Sequence, residues 1–328
     1  MAHNRREVLR LIGRTAIGGA LLSNWSQAWP AGTPLPDENL PDTSTYETFK
    51  HPGAEDLDYI NDLYGKADRM TAETRKALPH HLNLRYGAHL KQRLDLYLPQ
   101  GVVRDAPVLM FFHGGGFVEG HRAHYGFIAR PYAARGIITA VAGYRLVPDG
   151  FHYPAQLDDV KQAVLWIHKS VAQYGGNPSA LFISGHSAGA LLAAEAGADR
   201  TWMAAAGLPA SVLRGMVPVS GGYDLTATPS NNQNAFAPSP DLRDEASPLK
   251  HIHDPVRAAV VAQGQGQEYE RNHTKYSPDF VRALKKRGVD AQLSVLPSAT
   301  HIDMVFALAA EASPLFQSVA AMIKKYAV

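Results

Sequence analysis

The chain has 328 residues and contains no cysteine. This absence excludes disulfide bonds, catalysis by a thiolate and zinc sites with cysteine ligands, and it fits any redox compartment. An excess of charge of one sign is also missing, because 32 basic and 30 acidic residues leave a formal net charge of +2. No basic stripe is interleaved with aromatic residues, so nucleic acid is not an expected partner. The chain is long enough, and with 45% hydrophobic residues apolar enough, to bury a sizeable core.

Long hydrophobic runs are absent as well. The N-terminal apolar stretch LIGRTAIGGALL is interrupted by Arg14, follows Arg5 and Arg6, and precedes the small residues SQA at 26–28. A basic start, a short apolar middle and a small-residue exit are typical of an export signal, and this one resembles a bacterial twin-arginine signal. The run is too short for a permanent membrane span. We expect residues 1–28 to direct the protein to the periplasm or the exterior; an N-terminal extension on a cytosolic protein is the alternative.

The composition changes along the rest of the chain in two steps. Residues 29–55 are rich in proline, aspartate, threonine and serine, which is typical of a linker or arm, and 56–78 have helical spacing. We therefore expect an N-terminal arm and small cap over 29–80 and one large domain over 81–328.

Apolar strands alternate with helical segments throughout the large domain. Most of the strands are continuously apolar, as expected of strands that are buried on both faces. This alternation predicts an α/β fold, with a mainly parallel sheet flanked by helices and a loop-rich insert at 223–250. The predicted strands are 92–99, 107–114, 138–146, 180–185, 214–221, 257–264 and 290–297.

Small residues surround a serine in the sequence SGHSAGA at 184–190. Ser187 lies between a predicted buried strand and an alanine-rich helix. A serine at such a strand-to-helix turn is held with its hydroxyl in a cleft, and the flanking glycines avoid collisions with the strand and the helix. The positive end of the helix dipole faces negative charge that forms beside it. We expect Ser187 to be a nucleophile; a tight structural turn is the alternative.

Three successive glycines follow another predicted strand, in the sequence HGGGF at 113–117. Without side chains, this backbone can approach a substrate closely. The transition state of acyl transfer carries a negative oxygen that needs backbone N–H donors. We expect Gly115, Gly116 and Ala188 to supply these donors as an oxyanion hole.

A serine hydroxyl is a poor nucleophile and needs a base to take its proton. Among 15 histidines, His301 is the best placed, because it follows the last predicted strand in the loop PSATHID. His186 adjoins the serine but is expected to point away and pack. His251 and His253 have no matching carboxylates, so we expect loop histidines there and no metal site.

Several motifs together resemble one family. HGGGF, YRLVPDGFHYPAQLDD, YGGNP, SGHSAG and the late HID are similar to those of α/β-hydrolase fold carboxylesterases, near the hormone-sensitive-lipase and arylformamidase-like groups. The similarity covers roughly residues 85–310. It implies a Ser–His–acid triad in that chain order, no cofactor, and small-molecule esters as the common substrates. The domain over 81–328 is then the α/β-hydrolase catalytic domain.

The chain departs from this family at the acid. An aspartate is expected about three residues beyond the glycine that follows the penultimate strand, and here Gln267 stands near that place. Glutamate can also hold the imidazole of the base and stabilise its charged form. We therefore predict Glu268 as the acid, with Glu270 as the alternative.

The leading interpretation is an exported serine hydrolase that cleaves small to medium carboxylic esters through an acyl-enzyme on Ser187. One alternative is an arylformamidase-like enzyme that hydrolyses N-formyl aromatic amines with the same residues. Another is a catalytically silent hydrolase fold that serves for binding. No cofactor or metal is expected under any of these hypotheses, and neither the acyl specificity nor the oligomeric state follows from the sequence.

Overall fold

An eight-stranded sheet runs through residues 57–227 and 229–328, the part of the chain that this computed structural model describes. The order is β1-β2-β4-β3-β5-β6-β7-β8. β2 pairs antiparallel with both β1 and β4, and every other neighbouring pair is parallel. The strands are β1 (His80–Arg85), β2 (Arg93–Tyr97), β3 (Ala106–Phe112), β4 (Ile138–Ala142), β5 (Gly176–His186), β6 (Leu213–Val219), β7 (Ala258–Gly264) and β8 (Asp290–Leu296). This confirms the predicted mainly parallel sheet.

Eleven α-helices accompany the sheet in the described ranges. They are α1 (Leu57–Ala77), α2 (Ala129–Ala133), α3 (Ala155–Ser170), α4 (Ala188–Ala198), α5 (Thr201–Ala205), α6 (Asn231–Phe236), α7 (Pro240–Glu245), α8 (Glu268–His273), α9 (Ser277–Lys286), α10 (Asp303–Ala307) and α11 (Pro314–Tyr326). Short 3-10 helices lie at Arg122–Ile128, Val147–Asp149, Val171–Tyr174 and Ala210–Val212.

Strand β3 shows why its sequence is continuously apolar. Val108, Met110 and Phe112 belong to the core on one face of the sheet. Leu109 and Phe111 belong to the core on the other face. Successive side chains of a strand point to opposite faces, so a strand covered on both faces needs apolar residues at every position.

Helices cover both faces of the sheet. Buried residues of α3, α4 and α9 join the core that contains Val108, whereas those of α1, α2 and α11 join the core that contains Leu109. No helix within the described ranges is long and apolar enough to cross a membrane. The predicted export segment and the arm up to residue 56 lie outside these ranges.

Two features differ from the sequence prediction. Strand β1 was not predicted, because its side chains are mostly half-buried at the sheet edge and a bulge between His81 and Leu84 breaks its alternation. The insert at 223–250 contains α6 and α7 and is therefore less loop-like than predicted. Ser230 caps α6 by accepting a hydrogen bond from the backbone N–H of Gln233.

Candidate active site

Ser187 lies at the turn between β5 and α4, near the centre of the sheet. Its backbone has φ 54° and ψ −116°, a conformation that non-glycine residues rarely adopt. The backbone N–H of Ser187 donates to the carbonyl of Val219 at 2.9 Å, which ties the turn to the neighbouring strand. Such local strain concentrates at functional sites, where the surrounding structure holds it in place.

The glycines on either side allow this turn to form. A Cβ on Gly185 would lie 2.2 Å from the carbonyl oxygen of Gly189, and a Cβ on Gly189 would lie 2.2 Å from the carbonyl oxygen of Phe112. Both obstacles are backbone atoms, which cannot move aside as a flexible side chain can. The sequence SGHSAGA therefore forms the sharp turn predicted for it.

The triple-glycine segment after β3 reaches the same turn. A Cβ on Gly114 would lie 3.1 Å from the Cβ of Ser187, so a side chain here would be crowded against the serine turn. Gly115 and Gly116 have φ of +113° and +59°, and the carbonyl of Gly115 accepts hydrogen bonds from the next turn of the loop. These glycines and Ala188 line one cavity together with Ser187. The structure thus brings the three predicted N–H donors to the serine.

His301 lies in the loop between β8 and α10 and lines the same cavity. Two contacts hold its backbone. Its N–H donates to Oε1 of Gln267 at 3.4 Å, and its carbonyl accepts from Nε2 of His186 at 2.8 Å. The rings of His186 and His301 are also in contact, with centroids 4.6 Å apart. His186 is buried, as predicted for a packing residue, but it does not point away from the site: it lines the cavity and contacts His301.

Glu270 supplies the carboxylate beside His301. Its Oε2 accepts from Nδ1 of His301 at 2.6 Å, and its Oε1 accepts from Oγ of Ser220 at 2.6 Å and from the backbone N–H of Gly264 at 2.9 Å. The Glu270 side chain is fully buried. Three hydrogen bonds to this buried carboxyl group compensate for its lost hydration.

The prediction of Glu268 does not agree with this geometry. Glu268 is the first residue of α8 and its side chain is exposed. Two residues along a helix are separated by about 200° around its axis, so Glu268 and Glu270 point in opposite directions. The structure therefore corrects the acid to Glu270. The sequence alone did not separate the two glutamates, because their directions depend on where α8 begins.

Burial sets the protonation of the histidines around Ser187. It lowers the pKa of His301 to about 4, while the adjacent Glu270 carboxylate acts in the opposite direction by stabilising the imidazolium. Burial also lowers the pKa values of His186 and His113 to about 3. At neutral pH His301 is therefore a neutral imidazole, the form that can accept a proton.

The remaining predicted histidines lie elsewhere. Nε2 of His251 bonds to the carbonyl of Asp244 at 2.8 Å, and the exposed His253 is its neighbour, with ring centroids 6.1 Å apart. In the described part of the chain, no group of three or more histidine, aspartate or glutamate side chains is arranged to hold a metal ion.

The cavity in front of Ser187 has a volume of about 340 Å³. One part of its wall is apolar and is formed by α1, the glycine loop and α4. A second part is polar and is formed by the 223–250 insert and by α8 with the residue before it. The apolar residues include Leu63, Phe117 and Leu191. The polar residues include Ser230, Asn232, Gln233, Gln267 and His273. Sequence reasoning did not find this polar wall, because its members come from segments far apart in the chain.

In this structure a strained serine turn follows β5 of a mainly parallel sheet. The segments after β7 and β8 supply a carboxylate and a histidine, respectively. This arrangement defines the α/β-hydrolase fold. The BD-FAE family model matches residues 94–268, more than half of the 328 residues. The chain belongs to the BD-FAE family. The resemblance to α/β-hydrolase esterases stated from the motifs is thereby confirmed.

Curated relatives carry two different activities in their names. The chain is 29% identical to kynurenine formamidase of Salmo salar, over 68% of this chain and 75% of that protein. It is 27% identical to isoprenylcysteine alpha-carbonyl methylesterase of Arabidopsis thaliana, over 67% of this chain. The chain spans only 56% of the length of that methylesterase.

Solved structures share the fold. The esterase of Pyrobaculum calidifontis superposes with a TM-score of 0.64 at 22% sequence identity, covering 84% of this chain and 95% of that one. A truncated carbohydrate esterase from gut microbiota has a TM-score of 0.66 at 18% identity, covering 76% of this chain and 96% of that one.

Proposed function

We propose that the protein is a serine esterase that hydrolyses small to medium carboxylic esters through an acyl-enzyme on Ser187. The observation that carries this proposal is the Glu270–His301 pair, buried and hydrogen-bonded at 2.6 Å, on the wall of the cavity that holds Ser187. A protein that only binds ligands has no need for a buried carboxylate that orients a neutral imidazole toward a strained serine. The geometry therefore favours catalysis over the silent-fold alternative.

The first half-reaction forms the acyl-enzyme. Oγ of Ser187 attacks the ester carbonyl carbon while Nε2 of His301 accepts the hydroxyl proton. Glu270 stabilises the imidazolium that results. The intermediate then collapses, the bond to the alcohol oxygen breaks, and this oxygen takes the proton from His301. In the second half-reaction water attacks the acyl carbon while His301 accepts its proton. The bond between the acyl carbon and Oγ then breaks, Oγ of Ser187 takes the proton from His301, and the carboxylic acid leaves.

The negative oxygen of each tetrahedral intermediate faces the backbone of the glycine loop and the start of α4. The N–H groups of Gly115, Gly116 and Ala188 are the donors in our proposal. Such preorganised donors, fixed by a loop that cannot accept side chains, stabilise the transition state more than the ground state.

Fluorophosphonate labelling tests the nucleophile directly. We expect the probe to modify Ser187, and Ser187→Ala to remain folded while losing nearly all hydrolysis of a p-nitrophenyl ester series from acetate to octanoate. The matched control is Ser184→Ala, three residues earlier in β5, whose buried hydroxyl donates to the carbonyl of Val217 at 2.9 Å. Labelling of another residue, or full activity of the Ser187 variant, would reject the proposal.

A second candidate reaction is supported by the kynurenine formamidase relatives. The same serine and histidine would attack the formyl carbon of an N-formyl aromatic amine and release formate and the amine. Measuring kcat/KM for N-formylkynurenine beside the ester series separates the two: a higher value for the formamide would make formamide hydrolysis the main reaction.

A further inference from the structure

Asn232, the second residue of α6, brings a side-chain amide to the glycine loop on the wall of the cavity. A Cβ on Gly116 would lie 2.4 Å from Nδ2 of Asn232, so the amide packs directly on the backbone of a proposed oxyanion donor. The mechanism above makes no use of this amide.

An aromatic stack holds α6 at this place. Phe236, one turn further along α6, is fully buried, and its ring lies nearly parallel to that of Phe117, with centroids 3.8 Å apart. Phe117 directly follows Gly116 in the chain. The stack therefore fixes the position of Asn232 relative to the glycine loop.

The amide of Asn232 is available to a ligand. Asn232 is half-buried, lines the cavity and forms no side-chain hydrogen bond within the described ranges. Neither of its polar side-chain atoms is fully buried. By contrast, the side-chain oxygens of Ser230 and Gln233 already accept hydrogen bonds from backbone N–H groups at the start of α6.

The sheet order shows which part of an ester lies beside this amide. The glycine loop follows β3 and His301 follows β8, and these two strands lie on opposite sides of β5, which leads to Ser187. The leaving oxygen faces His301, from which it takes its proton, and the carbonyl oxygen faces the glycine loop. The three backbone N–H groups can occupy the three lone pairs of the negative oxygen. Asn232 is thus left for an atom of the acyl group close to the carbonyl.

We propose that Nδ2 of Asn232 donates a hydrogen bond to an oxygen attached to the carbon next to the ester carbonyl, and so favours esters of 2-hydroxy and 2-alkoxy acids. This inference rests on the esterase function proposed above. The amide contacts the loop that binds the carbonyl oxygen, so it reaches substituents beside the carbonyl. An acyl group without such an oxygen covers the amide and leaves its donor unpaired, which is unfavourable.

Two methyl esters test this selection: methyl methoxyacetate and methyl butyrate, which differ by an ether oxygen in place of a methylene group. The quantity measured is the ratio of their kcat/KM values. Asn232→Leu, which keeps the size of the side chain but removes the donor, should lower this ratio about threefold to tenfold, the range of one net hydrogen bond. The difference in intrinsic reactivity between the two esters is the same for every variant and cancels when the ratios are compared.

Asn232→Asp tests whether the amide acts as a donor. An ether oxygen only accepts hydrogen bonds, and a carboxylate cannot donate one, so the ratio should fall at least as far as in Asn232→Leu. Aspartate is nearly the same size as asparagine, so this ratio decides the test even if the leucine variant does not fold. Asn234→Leu, at an exposed position on the same helix, is the matched control and should keep the wild-type ratio.

A second pair of esters places the oxygen in the alcohol: 2-methoxyethyl butyrate and butyl butyrate. Their ratio should not change in Asn232→Leu. An unchanged ratio for the methyl esters in the Asn232 variants would overturn the inference, as would an equal change for both pairs. Failure of the proposed function is distinguishable, because the wild type would then hydrolyse neither methyl ester through Ser187. Fluorophosphonate labelling of Ser187 in each variant verifies that the cavity is intact.

Discussion

Oε2 of Glu270 lies 2.6 Å from Nδ1 of His301, although 31 positions separate the two residues in the chain. Parallel pairing of β7 with β8 brings the segments that follow these strands to the same edge of the sheet. The carboxylate reaches the imidazole from the third residue of a short helix, α8, and not from the loop before it. The chain order serine, carboxylate, histidine expected from the resemblance is thus kept, while the carboxylate stands further along the chain than predicted.

Glu270→Gln should reduce kcat by about four orders of magnitude, because the imidazole loses the group that holds its tautomer and stabilises its charge. Steady-state kinetics on a chromogenic ester measure the loss. Glu268→Gln is the matched control, since this exposed carboxylate lies on the opposite side of α8 and should retain wild-type activity. Equal activity of both variants would show that Ser187 and His301 work without an acid.

The acid limb of the kcat/KM profile should have its midpoint below pH 6.5. Hydrolysis needs neutral His301, so the rate falls as the pH drops through the pKa of His301, which burial lowers. In Glu270→Gln the residual activity should have its midpoint at a still lower pH, because the imidazolium has lost its stabilising carboxylate. Profiles recorded from pH 3.5 to 9 check both statements. A midpoint that moves upward in the variant would contradict them.

Asp159 should contribute strongly to the stability of the fold. This fully buried carboxylate on α3 accepts from the guanidinium of Arg145 at 2.5 Å and from the amide of Gln92 at 2.7 Å. Asp159→Ala removes the buried partner of the Arg145 guanidinium and should lower the free energy of unfolding by roughly 3–5 kcal/mol, measured by urea denaturation.

Removal of the exposed ion pair between Asp279 and Arg282 provides the comparison for Asp159. Asp279→Ala should change the free energy of unfolding by less than about 1 kcal/mol. Similar values for the two variants would mean that the buried network around Asp159 is not a main source of stability.

Exhaustive chelation should leave the rate of ester hydrolysis unchanged, because the proposed chemistry uses only side chains and backbone N–H groups. The assay compares the enzyme dialysed against a strong chelator with the same enzyme after addition of zinc or other divalent ions. Activity that returns only with an added ion would show that a metal takes part.

Export remains a prediction from Arg5 and Arg6. Replacing both with lysine should retain the precursor in the cytoplasm of its bacterial host, because twin-arginine transport depends on the arginine pair. Fractionation with immunoblotting measures the location. Mature protein in the periplasm despite the change would rule out this route.

The sheet and the serine turn could be predicted because their sequences are constrained by local physics. Strands such as β3 need apolar residues at every position, and the turn at Ser187 needs glycine where a Cβ would strike backbone. These requirements act within a few residues and are visible in a single sequence.

The acid and the polar wall could not be predicted in the same way. The choice between Glu268 and Glu270 depends on where α8 begins, since a change of two residues turns a side chain from solvent to the cavity. His273 was one of 15 histidines, and its place on the cavity wall beside His301 arises only from tertiary structure.

The six residues of α8 carry Tyr269, Glu270 and His273, so the carboxylate beside His301 and two residues of the cavity wall share less than two turns of helix. Inserting one residue into α8 directly before Glu270 would rotate Glu270 and His273 by about 100° relative to the start of the helix and take the carboxylate away from His301. Substitutions that keep the length can instead vary Tyr269 and His273 around an unchanged Glu270. Substitutions in this short helix, whether natural or selected by directed evolution, can therefore change the cavity wall and with it the substrate preference, while the sheet stays the same.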